Sequence, residues 1–150
     1  MMQQYFSKEN IYLNVAGNSF EEVLKNVTEI LEKKGAVKDS FYNAVLEREK
    51  VFPTGLEFPE YSIAIPHTDP QHVNVNSIVV IKPKNSVVFK DMGTNSKELN
   101  VGVILLLLIS KSEDQVSVLS SIIKKFADAD CYNKILSSSS QEEIYATLTK

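Results

Sequence analysis

The chain has 150 residues, of which 43% are hydrophobic and 23% charged, and this composition is ordinary for a soluble globular protein with one domain over residues 1–150. A formal net charge of −3, with lysines and arginines scattered along the chain, argues against nucleic acid or an anionic membrane as the main partner. The single cysteine, Cys131, excludes an internal disulfide and a metal site built from several cysteines, which favours a reduced, cytoplasmic location.

The N-terminal third of the chain predicts one strand and two helices. Alternating apolar residues predict a strand over residues 11–15. Ser19-Phe20-Glu21-Glu22 matches the capping box, and apolar residues follow at helical spacing. Gly35 then suits the left-handed conformation that closes such a helix. A second helix is predicted from about residue 40 to Pro53, because proline ends it.

Short strands separated by turns and loops are predicted for the middle of the chain. Proline and glycine predict a loop over residues 53–59. Short runs of β-branched and aromatic residues predict strands at 61–65, 77–82 and 87–89. The apolar run Val101–Ile109 predicts a central strand that is buried on both faces. This run is too short for a membrane helix, which needs about 20 residues.

The C-terminal third predicts helices. Ser112-Glu113-Asp114-Gln115 is a second capping box and predicts the start of a helix that extends to about Phe126. A short helix is predicted around Asn133–Leu136, and the serine run 137–140 separates it from a last helix around 144–148. Strands interleaved with helices predict an α/β fold, a three-layer α/β/α sandwich with a central mixed β-sheet and helices on both faces.

One histidine follows the strand predicted at 61–65, at the point where the chain turns. Pro66 ends that strand, because proline has no N–H for the ladder, and His67 comes next. A strand aims such a side chain rigidly, while a loop gives access to it. Histidine also has a pKa near neutrality, so a nucleophilic ring nitrogen is available at pH 7. His67 is therefore a candidate reactive residue, and the alternative is a structural histidine at a turn.

Other site chemistries lack their usual sequence signatures. His67 and His72 are separated by a proline and do not form a helical metal-binding pair, and the sequence has no HExxH motif. Walker A, GxGxxG and GxSxG sequences are also absent, which argues against a bound nucleotide cofactor and against serine hydrolysis. Arg48 has the planar, permanent charge that suits phosphoryl oxygens. A histidine and an arginine, without a metal or nucleotide site, suit a site that carries a phosphoryl group temporarily.

Three stretches of the sequence resemble a known family. Arg48-Glu49, Phe52-Pro53-Thr54-Gly55-Leu56 and Ala64-Ile65-Pro66-His67 resemble the signature of the fructose/mannitol-type EIIA domains. These domains belong to the bacterial phosphoenolpyruvate-dependent sugar phosphotransferase system. The resemblance extends over nearly the whole chain, and the sequence from Phe52 to Leu56 is most like that of the galactitol-specific branch. It implies a cytoplasmic phosphotransferase that uses no cofactor and no metal.

The resemblance implies roles for single residues. His67 matches the phosphorylated histidine, which accepts a phosphoryl group from the carrier protein HPr and passes it to a cysteine of EIIB, the partner of the membrane component EIIC. Arg48 matches the arginine that stabilises the phosphoryl group. Gln115 stands near a second active-site histidine of many members and would offer an amide donor there; alternatively, it is the capping-box partner of Ser112. Thr54 is either a hydroxyl donor to the phosphoryl oxygens or simply a loop threonine.

An acidic carrier must still bind its partners, so an apolar patch is expected around His67, formed by Phe52, Leu56 or Phe58. The resemblance implies galactitol or a related polyol as the transported sugar. Three other functions stay open. The chain is alternatively a nitrogen-type regulatory EIIA that acts by phosphorylation-dependent protein binding, a non-catalytic EIIA-like binding module, or a metal-binding domain with His67 and His72 as ligands.

Overall fold

The structure, a computed structural model, describes residues 2–150, which form an α/β fold with three short 3₁₀ helices. The strands are β1 (Ile11–Val15), β2 (Gly55–Glu57), β3 (Ser62–Ala64), β4 (Ser77–Pro83), β5 (Val87–Lys90), β6 (Glu98–Val101) and β7 (Val103–Leu108). The α-helices are α1 (Phe20–Lys33), α2 (Phe41–Val51), α3 (Ser112–Phe126), α4 (Ala129–Ser137) and α5 (Gln141–Thr149). The 3₁₀ helices are Met2–Tyr5, Lys8–Asn10 and Pro70–His72.

The central sheet of the described residues has the strand order β1-β4-β7-β3-β2. β4 and β7 pair antiparallel, from Ser77 opposite Leu108 to Ile81 opposite Ile104. β1 is parallel to β4, β3 is parallel to β7, and β2 is antiparallel to β3. The predicted mixed sheet is therefore confirmed. Because β3 runs parallel to β7, the segment that carries His67 and the start of α3 both follow strands that end at the same edge of the sheet.

Hydrophobic cores lie on both faces of the central sheet. One core combines the apolar faces of α1 and α2 with the small antiparallel sheet of β5 and β6, and the other combines those of α3, α4 and α5. Successive residues of β7 alternate between them: Leu105 packs in the core under α3, and Leu106 packs in the core under α1. Burying one such side chain contributes about 1.5–3 kcal/mol. Helices on both faces confirm the predicted three-layer sandwich.

The first helix begins and ends as its sequence predicts. The hydroxyl oxygen of Ser19 accepts the N–H of Glu22 (3.3 Å), and the carboxylate of Glu22 accepts the N–H of Asn18 (2.8 Å). At the other end, Gly35 has a φ of +76°, the left-handed conformation that glycine adopts without steric cost. The capping residues therefore fix α1 at both ends.

The central strand predicted in the apolar run 101–109 is confirmed as β7, which is buried throughout, but Val101 at the start of the run lies in β6 of the small sheet. β6 pairs with β5 in the small sheet, whereas β7 lies in the central sheet, and Gly102 separates them. A Cβ at Gly102 would lie 3.2 Å from side-chain atoms of both Leu136 and Tyr132. The chain therefore passes from one sheet to the other at a residue that has no side chain. An apolar run shows burial, but it does not show which sheet buries it.

Two other predictions are corrected by pairing and capping. The loop predicted over 53–59 contains β2, because these residues form a short hairpin with β3. The helix predicted around Asn133–Leu136 is longer, since α4 begins at Ala129. The carboxylate of Asp128 accepts the N–H of Asp130 (3.0 Å) and caps this earlier start.

Candidate active site

His67 is held at the edge of the central sheet by backbone contacts on both sides of Pro66. The N–H of Leu107 in β7 donates to the carbonyl of Pro66 (3.0 Å), which continues the pairing of β3 with β7. The Nδ1 atom of His67 lies 2.9 Å from the carbonyl oxygen of Ile65. The imidazole is therefore attached to the rigid end of a strand rather than free on a loop.

The contact with Ile65 determines the tautomer of His67. A carbonyl oxygen only accepts hydrogen bonds, so Nδ1 carries the proton and Nε2 has the free lone pair. Burial lowers the pKa of His67 below its ordinary value and Arg48 lowers it further, whereas the bond to Ile65 and the charge of Asp69 raise it in part. The ring is therefore neutral at pH 7, and its Nε2 is a nucleophile.

Arg48 lies in the last turn of α2, and its guanidinium makes weak contacts with two of the described residues, Asp69 and Phe52. Nη1 is 3.7 Å from Oδ1 of Asp69, which suits an ion pair but is too long for a hydrogen bond. The Cζ atom lies 5.2 Å from the centre of the Phe52 ring, a cation–π contact. Nε is buried without a hydrogen-bond partner among residues 2–150. The guanidinium is therefore positioned but not saturated.

A cleft of about 360 Å³ brings three of the four predicted site residues together, and Gln115 does not line it. His67, Arg48 and Thr54 all line it, and so does Phe52, which is 61% exposed. The remaining lining residues were not anticipated from the sequence: Val51, Pro53, Met92, Asn95 and Leu119. They come from the end of α2, the loop before β6 and the first half of α3, and no local pattern joins these segments.

The expected apolar patch is formed in part by residues other than those predicted. Phe52 lines the cleft, as expected, but Leu56 and Phe58 do not. Both pack against the core under α3, and the ring of Phe58 stacks on Tyr61 with ring centres 5.1 Å apart. Leu56 lies in β2, the strand at the edge of the central sheet next to β3, and Phe58 follows that strand.

Thr54 is almost fully buried, and both of its hydrogen-bond donors are bound to Glu49. Its N–H and its hydroxyl each donate to one carboxylate oxygen of Glu49, both at 2.8 Å. The single hydroxyl proton is therefore engaged by Glu49. Glu49 was not predicted as a site residue, because it stands in the run of charged residues 47–50 and only the fold shows that its carboxylate binds Thr54.

Gln115 connects the start of α3 with the segment after His67. Its Nε2 donates to the carbonyl of Thr68 (3.0 Å) and lies 3.5 Å from the carbonyl of Ile109. The alternative interpretation, that Gln115 is the capping partner of Ser112, is wrong. The residue before the helix is Lys111, not Ser112, and the Lys111 side chain makes no capping hydrogen bond.

Two properties of residues 2–150 bear on other functions. Those residues contain no group of three or more His, Cys, Asp or Glu side chains that could hold a metal ion. The Nδ1 atom of His72 lies 2.8 Å from the hydroxyl of Ser40. Within the same part of the chain, no helix has both the length and the apolar content that a membrane crossing requires.

Solved structures share this fold over almost the whole chain. The nitrogen regulatory protein IIA-Ntr of Neisseria meningitidis aligns with a TM-score of 0.79 at 24% identity, covering 99% of each chain. The complex of enzyme IIAMTL with phosphorylated enzyme IIBMTL from Escherichia coli aligns with a TM-score of 0.75 at 23% identity, covering 95% of this chain and 97% of that one. In that complex an EIIA domain acts with its EIIB.

Sequence comparison places the chain in a family. The mannitol-specific phosphotransferase enzyme IIA component of Staphylococcus aureus is 30% identical over 146 residues, 95% of this chain and 94% of that protein. The galactitol-specific EIIA component of Escherichia coli K12 is 27% identical over 115 residues, 77% of this chain and 76% of that protein. The family model of the phosphoenolpyruvate-dependent sugar phosphotransferase system, EIIA 2, matches residues 4–150. The chain therefore belongs to this EIIA family, whose members are the phosphotransferase carrier components of sugar transport systems.

Proposed function

We propose that this chain accepts a phosphoryl group from phospho-HPr on Nε2 of His67 and passes it to a cysteine of its cognate EIIB. One observation supports this above all others. The carbonyl of Ile65 holds Nδ1–H at 2.9 Å, so the free lone pair is on Nε2 of a residue that shares a cleft with Arg48. Membership of the EIIA 2 family supports the proposal independently.

The reaction is two successive in-line transfers. In the first, the Nε2 lone pair of His67 attacks phosphorus, and the bond between phosphorus and the histidine nitrogen of HPr breaks, leaving the electron pair on that nitrogen. In the second, the EIIB thiolate attacks the same phosphorus, a P–S bond forms, and Nε2 regains its lone pair. Such transfers depend mainly on positioning and charge stabilisation. Nδ1 keeps its proton throughout, because the carbonyl of Ile65 accepts it.

Arg48 is the residue we assign to charge stabilisation. Its contact with Asp69 is long, at 3.7 Å, and the Asp69 side chain is 69% exposed. Exposed ion pairs of this kind contribute about 0–1 kcal/mol, so a phosphoryl group replaces Asp69 as the partner of Arg48 at little cost. Gln115 and Thr54 act differently: both donate within the protein and so hold the segments that flank His67.

The surface around the cleft suits brief contact with other proteins. Val51 and Phe52 are each 61% exposed, and Val116, one turn before Leu119 on α3, is 72% exposed. We name Val51, Phe52, Val116 and Leu119 the apolar rim. A small apolar surface around a reactive group suits HPr and EIIB, because transient complexes have small interfaces.

We propose that the chain acts as a single cytoplasmic domain, residues 1–150, for the transport of galactitol or a related polyol. Relatives named for galactitol and for mannitol both support a polyol. The sugar itself is recognised by EIIC, which the domain reaches only through EIIB. The rates of phosphoryl transfer to purified galactitol-type and mannitol-type EIIB proteins distinguish the two possibilities, since the cognate EIIB should accept the phosphoryl group faster.

The test is phosphorylation in solution. The purified protein is incubated with phosphoenolpyruvate, enzyme I and HPr, and its mass is measured before and after acid treatment. We expect an acid-labile gain of one phosphoryl group in the wild type and in His72→Ala, and no gain in His67→Ala. A wild type that gains nothing would overturn the proposal.

Transfer to EIIB separates transport from regulation. Phosphorylated protein that passes its group to an EIIB cysteine supports the transport function. Phosphorylation without transfer to any EIIB tested would contradict it and would favour a nitrogen-type regulatory protein, which binds its target according to its phosphorylation.

A further inference from the structure

Glu49 is a carboxylate beside the cleft that the transfer mechanism above does not use. Burial raises its pKa, against two hydrogen bonds from Thr54 and the charge of Arg48, which lower it. The neighbouring Glu47 and Lys50 are exposed and pair with each other at 3.4 Å. Glu49 is therefore the one carboxylate of this charge run that the fold turns inwards, and its position needs a reason.

A continuous series of hydrogen bonds joins Glu49 to the ring of His67. The two oxygens of Glu49 accept the N–H and the hydroxyl of Thr54, each at 2.8 Å. The carbonyl of Thr54 accepts the N–H of Ile65 at 3.2 Å. The carbonyl of Ile65 accepts Nδ1–H of His67 at 2.9 Å. We call these four residues the Glu49 series.

We propose that Glu49 is a positioning residue for phosphoryl transfer: it holds Thr54 with both carboxylate oxygens and thereby fixes the Ile65 carbonyl that selects the Nδ1–H tautomer of His67. This inference rests on the proposed function of His67. When Thr54 is fixed at two atoms, the end of β3 is fixed with it. The Ile65 carbonyl then stays where only one orientation of the ring satisfies it.

A carboxylate is required because both donors of Thr54 converge on it. Glutamine in its place has one acceptor oxygen and one NH₂ group, so it accepts only one of the two Thr54 donors. If its NH₂ group donates to the Thr54 hydroxyl oxygen, the hydroxyl proton is left without an acceptor. Thr54 is 2% exposed, so water does not replace the missing acceptor. The contribution of Glu49 is geometric, since the charges that shift the pKa of His67 are those of Arg48 and Asp69.

The first test measures the tautomer of His67 in the free protein by ¹⁵N NMR of the imidazole. We expect a single Nδ1–H form in the wild type and a mixture with the Nε2–H form in Glu49→Gln. Glu47→Gln, the same change two residues earlier on an exposed side chain, should match the wild type. An unchanged tautomer in Glu49→Gln would overturn the inference, whether or not HPr phosphorylates the protein.

The second test measures phosphoryl uptake from phospho-HPr in single turnovers. Misplaced reacting groups slow such steps by about 10- to 100-fold, so we expect a loss of at least tenfold in the maximal rate of Glu49→Gln. The phospho-HPr concentration at half-maximal rate should stay unchanged, because the apolar rim is intact. A normal maximal rate would contradict the role of Glu49. So would a rise in the phospho-HPr concentration at half-maximal rate with no loss of maximal rate.

Thr54 provides a second, independent pair of variants. Thr54→Val removes the hydroxyl donor but keeps the N–H bond to Glu49, so its loss of rate should be smaller than that of Glu49→Gln. Thr54→Ser restores the hydroxyl and should recover the rate and the tautomer. A merely structural role predicts instead that both rates follow thermal stability, with the tautomer unchanged, and that result would overturn the inference.

Discussion

The imidazole of His67 stays neutral to a lower pH than an exposed histidine, because burial and Arg48 both disfavour its charged form. Only the neutral ring is a nucleophile. The rate of phosphoryl uptake should therefore be constant at pH values above the ordinary pKa of 6.5 and should fall only in more acid solution. Asp69 opposes this shift, so Asp69→Asn should move the acid limb to still lower pH. Uptake from phospho-HPr, measured against pH, checks this prediction.

HPr has a histidine of its own, so the titration of His67 must also be followed in the free protein. The NMR midpoint of His67 should fall in Asp69→Asn and should stay at its wild-type value in Glu47→Gln, which removes an exposed carboxylate that does not act on the ring. A midpoint that rises in Asp69→Asn would contradict this and would show that Asp69 holds Arg48 near the ring, so that its loss removes the lowering effect of Arg48.

At the scale of an element, β2 can pair with β3 only because residue 55 is glycine. A Cβ on Gly55 would lie 2.5 Å from the carbonyl oxygen of Lys90 in β5 and 3.2 Å from a side-chain carbon of Leu99. The Lys90 carbonyl belongs to the backbone of β5 and cannot move aside as a side chain could. Gly55→Ala should therefore push β2 and the adjoining Thr54 outwards. Overpacking of this kind costs about 1–3 kcal/mol. Urea unfolding should show this loss in the free energy of unfolding.

Gly93 provides the matched control for that prediction. The nearest atom to a Cβ there is a carboxylate oxygen of Asp91 at 3.4 Å, an ordinary contact at the end of a side chain. Gly93→Ala should therefore unfold at nearly the wild-type urea concentration. Equal stability of the two variants would show that β2 can move away from β5 without cost.

At the scale of the whole molecule, short patterns show which residues react but not what the fold places around them. His67 and Arg48 belong to local motifs, and both line the cleft. Gln115, in contrast, bonds to Thr68, 47 residues away, and Leu119 reaches the cleft from α3. Such contacts depend on how strands and helices pack, so only the assembled fold shows them. Gly102 is a second example, since the side chains that a Cβ there would meet, Tyr132 and Leu136, belong to α4.

The apolar rim is a property of the whole surface, because α2 and α3 contribute to it from opposite faces of the central sheet. Val51 is 61% exposed and lines the cleft, and its apolar side chain takes no part in the proposed transfer. A charge at its position would be buried against each partner. Val51→Glu should therefore raise the phospho-HPr concentration at half-maximal rate about tenfold, equivalent to about 1.4 kcal/mol, and leave the maximal rate unchanged.

Ile30→Glu is the control for this last prediction. Ile30 is 41% exposed on α1 and does not line the cleft, so the variant adds the same negative charge to an already acidic protein at a site away from His67. If the net charge alone governed binding, both variants would weaken it equally. A defect confined to Val51→Glu, measured by the concentration dependence of phosphoryl uptake, would identify the rim as the surface that HPr contacts. Equal defects would instead point to long-range repulsion, which 0.5 M salt should remove because it screens exposed charges beyond about 4–5 Å.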